Sequence, residues 1–328
     1  MSTLVIGESL IDILHGANND PTKHFPGGSP FNVAIGLAQL AHEVTLLTHI
    51  GTDSLGRLIE DRLREAGVHL ASVSKTDSIT STAHVYVNEQ GNPRYEFSLN
   101  DHFPTVDMGN TPDLDPERAQ IKHVHFGSLA AHAAPGAEEM RKWLSQYHGN
   151  ASISYDPNIR LTAMGSREKV AAEIESYIPS IDVFKASIED LEPVYQDFDP
   201  KSFAHRLLDE GVQLVVITRG PLGLTMYTRH HTIEIPAVRA HVVDTVGAGD
   251  SLMAALIDGL ARLSVIGREE APAIGELSPA MLTSLGSYAA TAAALTVAHN
   301  GSYAPSRRDV SSRSEFYSSG ERPIEILP

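Results

Sequence analysis

Short apolar runs alternate with segments of helical periodicity along most of the chain. Residues 3–6, 44–51, 124–127, 182–187 and 214–220 are rich in β-branched and other apolar residues, and Leu214-Val215-Val216-Ile217 is the clearest buried strand. The segment 152–160 is a strand that ends in polar residues, Asp156-Pro157-Asn158-Ile159-Arg160. Between these runs the apolar positions recur at helical spacing: 32–40, 54–66 with Gly67 as a C-cap, 136–147 around Trp143, a helix ending near 207–211, 252–260, and the small-residue-rich 282–297. Six or more such alternations, with mostly short connections, predict an α/β fold: a doubly wound, mostly parallel sheet between helical layers.

Two stretches break the rhythm. Residues 82–87 and 94–99 alternate apolar and polar positions around a turn at 88–93, the pattern of a hairpin with one apolar face. It belongs outside the main sheet, as a lid or an interface sheet, and its apolar face needs cover from a closing substrate or a second subunit. Tyr95 and Phe97 on this hairpin are either a sugar-stacking face or interface packing. Residues 223–227 pair in a second hairpin with 231–238, and the polar residues from 311 to 328 are expected to form a loosely held tail.

Composition narrows the function. The chain has 328 residues, a net charge of −16 and no cysteine. Cysteine-ligated metal and disulfides are therefore excluded, and nucleic-acid and membrane-surface partners are disfavoured. Neither a signal peptide nor a run of about 18 apolar residues is visible, so a cytoplasmic protein is expected. The 16 histidines include no spaced pair suggestive of a metal site, and His230-His231 falls in a hairpin turn. A dinucleotide-binding dehydrogenase needs a Gly-x-Gly-x-x-Gly turn after the first strand, where only Gly7 stands.

The candidate chemistry lies in two glycine turns that each open a helix. Near the carboxyl end of the chain, Val242-Val243 run into Asp244-Thr245-Val246-Gly247-Ala248-Gly249-Asp250. Such a turn exposes backbone N–H groups and the positive end of a helix dipole to an anion. Asp250 beside it is either a base for phosphoryl chemistry or an ordinary helix cap. Near the amino end, Gly27-Gly28 precede Asn32, whose side chain both donates and accepts. Asp12, shortly after the first strand, is either a site residue at a strand end or a solvated turn carboxylate.

Together the two turns are more specific than either alone. Gly27-Gly28-Ser29-Pro30-Phe31-Asn32-Val33-Ala34 and Asp244 to Asp250 resemble the two signatures of the ribokinase family of carbohydrate kinases, also called the PfkB family, over nearly the whole chain from Val5 to about Pro305. The wording is most similar to the fructokinase branch, through Gly7-Glu8-x-x-Ile11-Asp12 and Asp156-Pro157-Asn158-x-Arg160, and ketodeoxygluconate kinases share much of it. The resemblance implies a three-layer α/β/α sandwich over residues 1–310, with a small β-sheet lid inserted from about 13–26 and 76–102. It also implies ATP-dependent phosphorylation of a primary sugar hydroxyl, that of D-fructose first, with 2-keto-3-deoxygluconate or another sugar or nucleoside as the alternative. Asp250 matches the family's base, and Gly247, Ala248 and Gly249 its anion hole. Asp12, Gly27, Gly28 and Asn32 match acceptor-binding positions. Lys185, Thr218, Gly220 and Gly223 match the nucleotide side, with Asn158 and Arg160 a polar pair near phosphates or substrate. Mg²⁺, K⁺ near Asp244 and Gly301, and a homodimer through the lid are further implications. Two positions depart from the pattern: Ser187-x-x-Asp190 replaces Asn-x-x-Glu, which shortens the reach of the carboxylate toward a water-held Mg²⁺, and Ala41 stands where Gly or Ser is usual. Intact Asp250 and Gly247 to Gly249 argue against a catalytically dead sugar sensor.

Overall fold

The first apolar run becomes the strand Ser2–Ile6, buried on both faces as a strand inside a parallel sheet must be. In the computed structural model, residues 2–15, 22–87, 93–100, 111–116 and 118–314 are described. Ser2–Ile6 belongs to a 9-stranded sheet whose order is Thr232–Ile235, Leu224–Tyr227, Leu214–Thr218, Val183–Ser187, Ser152–Asp156, Ile121–Gly127, Ser2–Ile6, Glu43–Leu47, His69–Leu70. Every pair from Leu214–Thr218 to His69–Leu70 is parallel, and the hairpin Leu224–Tyr227/Thr232–Ile235 forms an antiparallel edge. The segment expected as one strand over 44–51 splits, because Ile50–Gly51 turns away to pair with Lys75–Thr76.

Alternation along the strands sends side chains into two cores. Val5, Val183 and Val216 pack with the helices Ser29–Gln39, Ala248–Arg262 and Pro279–Val297. Leu4, Ile6, Phe184, Val215 and Ile217 face the other way, onto Gly136–Tyr147, Arg167–Tyr177 and Pro200–Asp209. The result is a three-layer α/β/α sandwich. The helix Pro279–Val297 is long and apolar enough to cross a membrane by length and composition, which the run-length reading of the sequence did not register. In the fold it packs on Ala248–Arg262 and on the edge strand Thr232–Ile235, with 61% of its apolar window buried, as a core helix.

The expected hairpin does leave the main sheet. Thr82–Val87 and Pro93–Ser98 join Leu10–His15 and Lys23–Gly27 in a separate 4-stranded sheet, ordered Lys23–Gly27, Leu10–His15, Thr82–Val87, Pro93–Ser98. Its first strand begins at Leu10, three residues before the start expected for the inserted element, because Gly7 ends the core strand early. Phe25 (50% exposed), Ile79 (68%) and Tyr86 (38%) on and beside this sheet are left open to solvent. The side chain of Tyr95 and the turn 88–92 lie outside the described residues, while Phe97 packs against the second core. At the carboxyl end, Ser306 caps the short helix Arg307–Ser311, and Ser314, buried, donates to the carbonyl of Val310; the expected tail beyond it lies outside the described residues.

Candidate active site

Both glycine turns arrive at the carboxyl ends of the parallel strands, where open α/β sheets gather their ligands. Gly28, at φ 109°, is the N-cap of Ser29–Gln39, and a Cβ there would lie 2.7 Å from the carbonyl oxygen of Glu8, so the chain passes only as glycine. Gly247, at φ 77°, plays the same part for Ala248–Arg262. The two helices pack against each other and bring their first turns together.

There the Ser29 hydroxyl donates to one oxygen of Asp250 at 2.7 Å, and the Asn32 amide donates to the other at 2.8 Å. Asp250 sits in the first helical turn but does not cap it, since Gly247 is the N-cap and no side chain closes it. The cap reading of Asp250 is thus set aside: its carboxylate points out of its own helix toward the other turn. Burial pushes its pKa up, against the pull of Ser29, Asn32, Lys185 and Arg160.

Lys185 underlies the turn. A Cβ on Gly249 would meet its Nζ at 3.0 Å. The ammonium is buried and pairs with Asp156 at 2.5 Å. Burial opposes the charge on Lys185, but Asp156 outweighs it and the Lys185 pKa rises. Burial pushes Asp156 up to about 6; Lys185 pulls it back, and Asp190 and Asp250 add to the rise. The site therefore gathers Asp156, Asp190 and Asp250 around Lys185 and Arg160, one carboxylate more than cations.

The remaining expected residues lie around this centre. Asn158, at φ 39°, donates its amide to the Ser128 hydroxyl at 3.1 Å. Arg160 donates to the carbonyl of Ile159 and lies 3.5 Å from Asp190. Asp190 completes a capping box with Ser187. Thr218 ends the strand beside Val183–Ser187, and Gly220 (φ 52°) and Gly223 (φ 96°) shape the turn after it; these three stand one strand away and make no bond to Asp250. Ala248 starts the helix without a side-chain role of its own. Asp12 occupies the small sheet against Gly27, where a Cβ would come 2.5 Å from its Oδ2. Burial alone pushes Asp12 up to about 6, and it has no hydrogen-bond partner among the described residues. Asp244 accepts from the backbone N–H of Val246 at 3.0 Å and of Gly301 at 2.9 Å, tying the loop beyond Pro279–Val297 to the turn.

Three residues of the site were not singled out from the sequence. Ser29 looked like part of a helix start. Asp156 was read only within a strand-end motif, and its buried place opposite Lys185 appears only once the strands are ordered in the sheet. Glu8, named only within the Gly7-Glu8-x-x-Ile11-Asp12 wording and given no role, has a carboxylate that accepts from the Ala130 N–H at 3.0 Å and is pushed by burial up to about 7.

No group of three His, Asp or Glu side chains among the described residues forms a metal cage. The carboxylate excess suits instead a hydrated divalent ion that arrives with nucleotide phosphates and keeps most of its waters. A groove of about 220 Å³ lined by Val238, His241, Thr291, Ala294 and Leu295 runs beside the segment that leads into the Gly247 turn.

The chain is similar to known carbohydrate kinases. The model of the pfkB family carbohydrate kinases matches residues 3–309. A fructokinase of Rhizobium leguminosarum bv. trifolii is 30% identical over 277 residues, covering 83% of this chain and 84% of that one. A fructokinase of Xylella fastidiosa with bound ATP superposes with a TM-score of 0.82 at 23% identity, covering 94% and 96% of the two chains. A double mutant of the Vibrio cholerae fructokinase, bound to fructose, ADP and potassium ion, gives 0.76 at 21% identity, covering 94% and 96%. At those identities the two structures speak to the fold.

Proposed function

Because the chain belongs to the pfkB family of carbohydrate kinases, and so is an ATP-dependent carbohydrate kinase, we propose that its acceptor is the primary hydroxyl of a neutral sugar, D-fructose before 2-keto-3-deoxygluconate. The observation that carries the mechanism is the clamp of Ser29 and Asn32 on Asp250. It joins the acceptor turn to the base, so a hydroxyl lying on Gly27, Gly28 and Asp12 faces the carboxylate. Asp250 takes the hydroxyl proton as the oxygen attacks the γ-phosphorus. The new O–P bond forms, the bond to the β-phosphate oxygen breaks, and ADP leaves. The backbone N–H groups of Gly247 to Gly249 hold the transferring phosphoryl, with the Lys185 ammonium just below. Arg160, Asn158, Thr218, Gly220 and Gly223 bind the phosphates and nucleoside along the strand ends, and the groove beside Pro279–Val297 takes the base.

Mg²⁺, held through water by Asp190, would neutralise phosphate charge. K⁺ would lie by the Asp244 and Gly301 loops, stiffening the anion hole. Working in the cytoplasm and dimerising through the small sheet, whose Phe25 and Tyr86 a partner would cover, complete the reading.

A coupled ADP-release assay over fructose, ribose, tagatose, 2-keto-3-deoxygluconate and nucleosides tests it. Fructose turnover that disappears in Asp250→Asn is expected. Turnover on ketodeoxygluconate or a nucleoside, with none on fructose, moves the substrate and leaves the kinase. ADP release independent of any sugar removes the mechanism.

A further inference from the structure

Beside the acceptor turn lies a cavity of about 350 Å³ that the reaction described above does not use. None of Asp12, Gly27, Gly28, Asn32, Arg160 or Asp250 lines it. It nonetheless begins where the acceptor turn ends. Glu8 and Ser9 form its inner wall, and their backbones press on Gly28: a Cβ there would meet the Glu8 oxygen at 2.7 Å and the Ser9 Cα at 3.4 Å. Its roof is the base of the small sheet, at Ser81 and Leu99; its floor is Leu129 and Pro135, and Ala163 closes the side nearest Arg160.

The lining specifies a chemistry. Polar side chains of Glu8, Ser9, His49, Ser81 and Asn100 line it together with the apolar Leu99, Leu129 and Pro135. That mixture suits a ring with hydroxyls on its rim and C–H faces between them. The volume falls within the range of about 300–1,000 Å³ typical of ligand pockets, so it holds a group of ring size. An anionic group fits poorly. The Glu8 carboxyl group lines the cavity, and Lys169, a cation of the lining, is exposed.

We propose that this cavity is a second acceptor subsite, and that the enzyme's preferred acceptor is a hexose bearing a neutral, hydroxylated substituent of ring size, such as a glycosyl group, with the substituent seated against Glu8, Ser81 and Leu99. This rests on the kinase reading above and extends it from the phosphorylated ring to the ring attached to it. The hexose sits on Asp12, Gly28 and Asn32 with its primary hydroxyl toward Asp250, and the second ring passes Ser9 into the cavity.

The test compares ADP release with D-fructose, with glucosyl-fructose disaccharides that keep a free primary hydroxyl, and with methyl and phenyl glycosides. Each is run on the wild type, Ala163→Trp and Leu99→Trp. The expected result is a kcat/KM for the disaccharides at least about tenfold above that for fructose. Each tryptophan should cut that advantage by about tenfold or more while changing fructose turnover less than about twofold. Unchanged fructose turnover also serves as the control that the variants fold. Fructose outperforming every substituted acceptor overturns the proposal, as does an equal loss on both acceptor classes, which would make the cavity part of a single-ring pocket. If no sugar supports Asp250-dependent ADP release, the kinase reading falls and takes the subsite with it.

Discussion

Asn32 donates its side-chain amide to the Asp250 carboxylate at 2.8 Å across 218 positions of chain, and so binds one glycine turn to the other. Ser29 does the same to the second oxygen at 2.7 Å. Each oxygen of the proposed base is thus aimed by the helix that is also proposed to hold the acceptor.

Removing a donor has a signed effect on pH. Ser29 and Asn32 both lower the pKa of Asp250, against the burial that raises it. Asn32→Leu removes one of these bonds to the charged form, so the pKa climbs further and more of the base is protonated at a given pH. The acidic limb of the kcat/KM profile should move to higher pH, with the plateau down about 10- to 100-fold. Asp250→Asn should lose about 100- to 10,000-fold in kcat with sugar binding nearly intact. An unmoved limb in Asn32→Leu would show that the titrating group is elsewhere.

The two glycines of the proposed anion hole should fail differently. Gly247 adopts φ 77°, and a Cβ would come within 2.9 Å of the Ser302 backbone, so Gly247→Ala strains the fold itself by about 1–3 kcal/mol. Gly249 is helical and its added Cβ meets only the Lys185 ammonium, at 3.0 Å. Gly249→Ala should leave the thermal midpoint close to wild type and lower kcat. Denaturation and turnover measured on both variants separate the cases.

Lys185 holds down the pKa of two carboxylates at once, Asp156 and Asp250. Lys185→Met therefore raises both, and it also withdraws the cation beneath the transferring phosphoryl. The expected outcome is a loss of about 100- to 1,000-fold in kcat, with an acidic limb displaced upward and a higher KM for ATP. A variant that changes KM for ATP alone would restrict Lys185 to nucleotide binding.

How much of this was legible in the sequence follows from what each residue needs. Gly28 and Gly247 were visible as glycines in turns before helices, at positive φ angles that favour glycine, and the parallel strands were visible because they are apolar on both faces. The Lys185–Asp156 pair was not, because neighbours across a sheet are set by strand order, and Ser152–Asp156 and Val183–Ser187 lie about thirty positions apart in sequence. The strand Leu10–His15 was hidden for another reason. Leu10-Ile11-Asp12-Ile13-Leu14 alternates too weakly to say which sheet it joins, and Gly7 alone marks the break. Asp12 was consequently left between a strand-end site residue and a turn carboxylate, while in the fold it stands within a strand, opposite Phe25 and with its carboxylate beside Gly27.

Asp258 provides the pH dependence of stability. It is fully buried in the middle of the Asp250 helix and accepts from His42 at 2.9 Å, Tyr288 at 2.7 Å and Arg307 at 2.5 Å. Burial raises its pKa, yet these partners together bring it below 3.8. A carboxylate lowered in the folded state contributes stability that is present above pH 3.8 and is lost as the pH falls toward the folded value. Asp258→Ala should cost about 3 kcal/mol at pH 7, with the gap to wild type closing below about pH 4. Urea titrations at pH 7 and pH 3.5 measure both; a gap that stays constant would mean that packing, rather than the charge, sets the cost.

Gly36 tests whether the clamp on Asp250 depends on the distance between its two helices. It lies in Ser29–Gln39 one turn beyond Asn32, and a Cβ there would come 2.8 Å from the Cβ of Ala254, one turn beyond Asp250 in Ala248–Arg262. The backbone at Gly36 is helical, so Gly36→Ala gains helix propensity and is not strained locally. What it must do is push the two helices apart by several tenths of an ångström, and Gly36→Val by more. That displacement falls on the Ser29 and Asn32 bonds to Asp250, while Thr218, Gly220 and Gly223 belong to neither helix. Turnover should therefore drop about tenfold in Gly36→Ala and about a hundredfold in Gly36→Val, with KM for ATP unchanged. Restoring room from the other side, with Ala254→Gly in the Gly36→Ala background, should recover most of the loss. Failure of that rescue would mean that helix spacing does not govern the alignment of acceptor and base.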